Sequence, residues 1–111
     1  MRSIMVLNSK GGSGKSTVAT NLASYYATQG NKVILVDLDP QASSLDWLKA
    51  RPSGRSSISG INGAIGQYRV PRNADYVIYD TPAAVHGAEL NALLRRAQSI
   101  IIPVLPSPID M

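Results

Sequence analysis

The stretch Lys10-Gly11-Gly12-Ser13-Gly14-Lys15-Ser16-Thr17 decides how the rest of the chain is read. It directly follows the apolar run Ile4-Met5-Val6-Leu7 and directly precedes a segment patterned as a helix. Its three glycines let the backbone come close to a polyphosphate, and the amides at the helix start point toward the anion. Lys15 then serves as charge partner and Ser16 as magnesium ligand. A bare glycine-rich turn would not need a strand before it and a helix after it, so the stretch reads as a phosphate-binding loop. The common pattern has a glycine five residues before Gly14, where this chain has Ser9. Lys10 is an additional lysine at a position where that pattern asks for no particular residue.

Outward from the loop, four runs read as buried strands: Ser3 to Leu7, Lys32 to Asp37, Asp75 to Asp80 and Ser99 to Val104. Each is nearly continuously apolar rather than alternating, the pattern of a parallel sheet covered on both faces. Helices are predicted from Gly14 to Gln29, stopped by Gly30 and Asn31, from Ser44 to Arg51, and from Ala88 to Ala97. Val18, Ala19, Leu22, Ala23 and Tyr26 share a face of the first. Leu45 and Leu48 face inward in the second, flanked by Trp47. Leu90, Leu93, Leu94 and Ala97 line the third, with Arg95 and Arg96 at the negative end of its dipole. Strand and helix in alternation predict an α/β domain, a three-layer sandwich around a mostly parallel sheet. Between Pro52 and Asn73, Ile58, Ile61, Ile65 and Tyr68 recur at helical spacing, and a short helix weakened by Gly54, Gly60, Gly63 and Gly66 is the expectation there.

At 111 residues the chain fits one domain with a real core. Eleven basic residues against seven acidic give a formal charge of +4. That suits an anionic partner, and a nucleotide alone accounts for it. Without cysteine there is no disulfide framework, thiolate metal site or iron–sulfur cluster. No apolar run approaches the roughly 20 residues that span a bilayer. A cytoplasmic protein is expected. Ser107-Pro108-Ile109-Asp110 reads as the entry to another helix just before Met111, which points to the N-terminal portion of a longer domain.

The loop, with its Lys-Gly-Gly-x-Gly-Lys-Ser/Thr order, resembles that of the ParA/MinD family of deviant Walker ATPases. Asp37-Leu38-Asp39-Pro40-Gln41 resembles the family's switch segment in its ParA form, and Asp80-Thr81-Pro82 its Walker B element. Ile102-Pro103-Val104 followed by Pro106-Ser107-Pro108 is also similar to the partition proteins. The resemblance implies a P-loop fold and the cofactors ATP and Mg²⁺. It implies that Lys15 meets the β- and γ-phosphates, Ser16 ligates Mg²⁺, and the amides of Gly11, Gly12, Ser13, Gly14, Lys15, Ser16 and Thr17 cradle the phosphate chain. By the same resemblance Lys10 reaches the partner's phosphates in a nucleotide-sandwiched homodimer, Asp37 and Asp80 hold the magnesium hydration shell, and Asp39 positions the attacking water. An alternative for Asp37 and Asp39 is the capping of the helix that follows them.

Nonspecific DNA and a ParB-like adaptor are the partners the family implies, with association to the nucleoid. The stretch from Trp47 to Ala74 carries Lys49, Arg51, Arg55, Arg69 and Arg72 without an acidic residue, which reads equally as a phosphate-facing surface or a solvated one. His86, the single histidine, lacks a second histidine or cysteine for a metal, and Trp47 and the tyrosines read as packing residues. A metabolic P-loop enzyme of the cobyrinate amidase or dethiobiotin synthetase type, or a MinD-like positioning ATPase, are the alternative functions. A MinD-like membrane switch would need a C-terminal amphipathic helix, which this chain does not show before Met111.

Overall fold

The computed structural model describes residues 1–7, 15–52, 54–82 and 87–102, with Lys15, Ser16, Glu89 and Leu90 described by backbone alone. Strands β1 (Arg2–Val6), β2 (Val33–Asp37), β3 (Ile58–Asn62), β4 (Tyr76–Asp80) and β5 (Ser99–Ile101) and helices α1 (Lys15–Thr28), α2 (Ser43–Lys49) and α3 (Gly87–Leu94) follow one another as β1-α1-β2-α2-β3-β4-α3-β5. The five strands form one sheet in the order β3-β2-β4-β1-β5, and every pair is parallel. The expected α/β sandwich is therefore present.

Connection directions explain the layers. The step from β1 to β2 passes over β4 in one direction, whereas the step from β4 to β5 passes over β1 in the other. Right-handed crossovers then put α1 and α3 on opposite faces. Two apolar cores follow. One joins Ala19, Ala23 and Ala27 of α1 to Ile4, Val6, Val33, Leu35 and Ile78, and the other joins Leu93 and Ala97 to Met5, Ile34, Val36, Val77 and Tyr79. Alternate residues of each central strand supply the two cores, which is why these strands are apolar throughout.

The alanines of α1 recur every fourth residue and form the buried centre of its sheet-facing side, with Val18, Leu22 and Tyr26 packed beside them. Its end is a Schellman turn. Gly30 takes φ +87°, its N–H donates to the Ala27 carbonyl, and the Asn31 N–H donates to Tyr26. Tyr26 also stacks on Tyr76 with ring centroids 3.8 Å apart, which fixes the end of α1 over the start of β4.

The stretch from Pro52 to Asn73 departs from the helical expectation. Ile58 and Ile61 lie in β3, paired in parallel with Val33 and Val36 of β2. Three residues apart in a strand, they face opposite ways and join the two different cores. Helical spacing misleads here because Gly60 removes helix propensity and provides what an edge strand needs beneath a helix. A Cβ at Gly60 would lie 2.6 Å from Leu48 Cδ2 and 2.9 Å from Leu45 Cδ2. Gly60→Ala should therefore destabilise the fold by about 1 kcal/mol, the low end of overpacking because both obstructing atoms are side-chain tips. Chemical denaturation with an unchanged midpoint would contradict that close approach.

Candidate functional site

Register places the carboxyl ends of the strands in one row. Val6 of β1 is level with Asp80 of β4, and Asp80 is level with Asp37 of β2. Partners across parallel strands point to the same face, and Val6, Ile78 and Leu35 all point toward α1. Asp37 and Asp80 thus stand side by side, both fully buried, on the face covered by the helix that opens with Lys15-Ser16-Thr17. The connections from β1 and β4 leave in opposite directions at this edge, which opens the crevice where such sheets bind ligands.

Asp37 organises the segment that follows it. Its Oδ1 accepts the Asp39 N–H at 3.0 Å, and its Oδ2 accepts the Leu45 N–H at 3.2 Å. Leu45 is the third residue of α2, the position whose amide an N-cap side chain normally receives. The residue at that N-cap is Ala42, which has no side-chain acceptor and sits in the left-handed region at φ 56°, ψ 34°. The Asp37 carboxylate therefore caps α2 from the adjacent strand. The capping alternative describes this side chain well, and it leaves metal contact open, because each oxygen retains a second acceptor direction.

Asp39 is half-buried, and its Oδ1 accepts the Gln41 N–H at 3.0 Å, closing an Asx turn, while its carbonyl accepts the Ala42 N–H at 2.9 Å. Thr81, to which the sequence reading assigns no role, is buried and ties the two strand ends together. Its hydroxyl donates to the Val6 carbonyl at 2.8 Å. A hydroxyl between a strand-ending carboxylate and Pro82 was the available signal. Ser44 is the second such residue: its hydroxyl is buried with no hydrogen-bond partner among the described residues, directly before the amide that Asp37 accepts.

Lys10, Gly11, Gly12, Ser13 and Gly14 lie outside the described residues, as do His86 and the segment from Pro103 to Met111. Lys15 and Ser16 open α1, and Thr17 is exposed in its first turn. Asp37 and Asp80 offer oxygen donors alone, the chemistry of a hard cation. Among the described residues no group of three or more His, Cys, Asp and Glu could hold a metal by itself. The donor set fits magnesium shared with phosphates and water, not an ion enclosed by protein.

The chain matches the CobQ/CobB/MinD/ParA nucleotide binding domain over residues 4–107. It belongs to that family. Within the family it is 34% identical over 119 aligned positions to the maintenance of carboxysome distribution protein A of Gloeobacter kilaueensis, covering 99% of this chain and 52% of that protein. It is 30% identical to Protein ParA of Rhizobium radiobacter over 96% of this chain and 50% of that protein. A 51-residue match to the chromosome-partitioning ATPase Soj of Thermus thermophilus reaches 51% identity, over 46% of this chain and 20% of Soj. A solved nucleotide-binding protein of Archaeoglobus fulgidus in complex with ADP shares the fold, with a TM-score of 0.74 at 24% identity over 97% of this chain and 56% of that one. The chain spans about half the length of the full-coverage curated relatives it matches. The ParA/MinD resemblance read from the loop, the switch segment and the Walker B element is thus established, with the P-loop α/β fold it implies. No helix among the described residues is long and apolar enough to cross a membrane.

Proposed function

We propose that this nucleotide-binding domain serves a Mg²⁺-dependent ATPase of ParA type, a switch that dimerises around ATP, hydrolyses it slowly and positions DNA or another large cargo. The observation that carries the reading is the pair of buried carboxylates, Asp37 and Asp80, level with each other beneath the helix that begins with Lys15. One of them also holds the loop and α2 in place, so a ligand drawn to that edge bears directly on the switch segment.

In this reading Ser16, Asp37 and Asp80 hold magnesium, which when bound offsets negative charge on the β- and γ-phosphates. Lys15 and the amides from Gly11 to Thr17 bind and orient the phosphate chain, and Lys10 reaches the partner protomer's phosphates. Asp39 holds the attacking water in line, its backbone already fixed by the Asp37 carboxylate. Little chemistry is asked of the protein beyond position and charge. The names of two relatives speak of carboxysome distribution and chromosome partitioning, and both are the placement of a large object. DNA and a ParB-like adaptor are the partners that fit such a cycle, in the cytoplasm and on the nucleoid.

Asp39→Ala tests the assignment. The variant should bind a fluorescent ATP analogue within about two-fold of wild type, sediment as a dimer with MgATP, and lose at least roughly 100-fold in turnover, as expected when the group that positions the attacking water is removed. Normal phosphate release by this variant would discard the role of Asp39. Sedimentation as a monomer with ATP, ADP and no nucleotide alike would discard the dimer switch.

A further inference from the structure

The acid-free stretch from Trp47 to Ala74 is continuous in sequence but divided in space. Arg51 is committed to the seam between α1 and α2. Its guanidinium donates to the Ser56 carbonyl and the Ser24 hydroxyl and lies 5.5 Å from the Trp47 ring centre. Arg55 lines the same seam. After β3 the chain crosses to the other face, where Tyr68 and Val70 pack on the core beneath α3. Arg69 and Arg72 therefore belong to a different surface, and there they meet an arginine from a distant part of the chain, Arg96.

Two open clefts run along that surface. One, of about 540 Å³, is lined by Arg69 and Arg96 with Tyr68 and Tyr79, and the next, of about 590 Å³, by Arg69 and Arg72 with Val70. Arg69 and Val70 line both, so the clefts are continuous and the three arginines line them in the order Arg96, Arg69, Arg72. All three side chains are exposed. Arg96 is held in place, donating to the Tyr68 hydroxyl at 2.6 Å and lying 5.8 Å from the ring centre. The acidic residue nearest to Arg72 in sequence, Asp75, turns its Oδ2 to the Lys32 amide.

We infer that Arg96, Arg69 and Arg72 form a track for the phosphate backbone of nucleic acid. A small anion would need one enclosed pocket. Three arginines spaced along open, contiguous clefts instead suit a polyanion that meets each in turn, and guanidinium groups match phosphate oxygens in geometry as well as charge. The track starts beside the switch. Arg96 also lines a cleft of about 460 Å³ with Leu38 and Pro40 after β2 and Pro82 after β4, the loops that follow the two site carboxylates. The inference rests on the reading of a DNA-positioning switch only for its choice of ligand.

The test is the binding of a short fluorescein-labelled DNA duplex of random sequence to the full chain, by anisotropy, from roughly 50 to 200 mM salt. Wild type should show a slope of log affinity against log salt of about −2.7 or steeper, from about −0.9 per phosphate met. The double variant Arg69→Gln/Arg72→Gln should bind on the order of ten-fold more weakly at the low-salt end, with a slope shallower by about two. Circular dichroism and thermal melting should leave its fold unchanged, because both side chains are exposed. Equal affinity and slope in the two proteins would overturn the inference, as would wild-type binding to poly-glutamate with none to duplex, which points to an acidic protein partner. A fluorescent ATP analogue titrated in parallel separates the two claims. Nucleotide binding without duplex binding overturns the track and leaves the nucleotide switch. Duplex binding that depends on Arg69 and Arg72 without nucleotide binding upholds the track and overturns the switch.

Discussion

Asp37→Ala should lower the stability of the fold by about 3 kcal/mol, because the Asp39 and Leu45 amides lose a charged acceptor together and each such bond contributes about 1.5–3 kcal/mol. Part of that loss is offset by removing one of two buried carboxylates that stand side by side. For a domain of this size the melting temperature should fall by roughly 15 °C. Asp37→Asn should fall between, since the amide keeps one acceptor oxygen and presents N–H to a backbone N–H at the other. Melting curves for the three proteins give the order directly. A Tm for Asp37→Ala within roughly 2 °C of wild type would show that the carboxylate does not cap α2, whatever its relation to a metal. The prediction separates architecture from ligation: measured without magnesium or nucleotide, it reads the clasp alone.

Lys15→Ala should reduce affinity for MgATP by about 100-fold or more, with the fold retained. Lys15 is the first residue of α1, the helix over the carboxylate pair, so its ammonium starts from the point where the helix dipole already favours an anion. Removing it takes away the charge and leaves the helix, because alanine is a good first-turn residue and the packing of α1 rests on Ala19, Ala23 and Ala27. Equilibrium titration with a fluorescent ATP analogue, alongside far-ultraviolet circular dichroism, measures both halves. Wild-type affinity in the alanine variant would mean that the loop does not hold phosphate through this lysine, and the nucleotide reading of the site would fall with it.

Much of the fold can be read along the chain because its central strands are buried on both faces. Val33 to Val36 and Val77 to Tyr79 are apolar at every position, since each residue meets one of two cores. The glycine and asparagine that end α1 announce a Schellman turn in the same local way. Edge strand β3 escapes that logic. Its burial alternates irregularly, and its glycine reflects the Leu45 and Leu48 side chains of another element. No window of sequence around Gly60 contains that cause.

The candidate site divides along the same line. The strand-ending positions of Asp37 and Asp80 are evident from the apolar runs before them, and the loop chemistry from its glycines and lysines. Residue order alone therefore marked a strand, a glycine- and lysine-rich loop, a helix and two carboxylates at strand tips, because those patterns depend on near neighbours. Their assembly depended on the order β3-β2-β4-β1-β5, which brings Asp37 level with an aspartate 43 positions away and leaves Ala42 to be capped by it from outside the helix. The same crossing of faces split one basic stretch into two surfaces and joined half of it to Arg96. Pairings of that kind arise from crossover direction and layer packing, which act between segments that are remote along the chain.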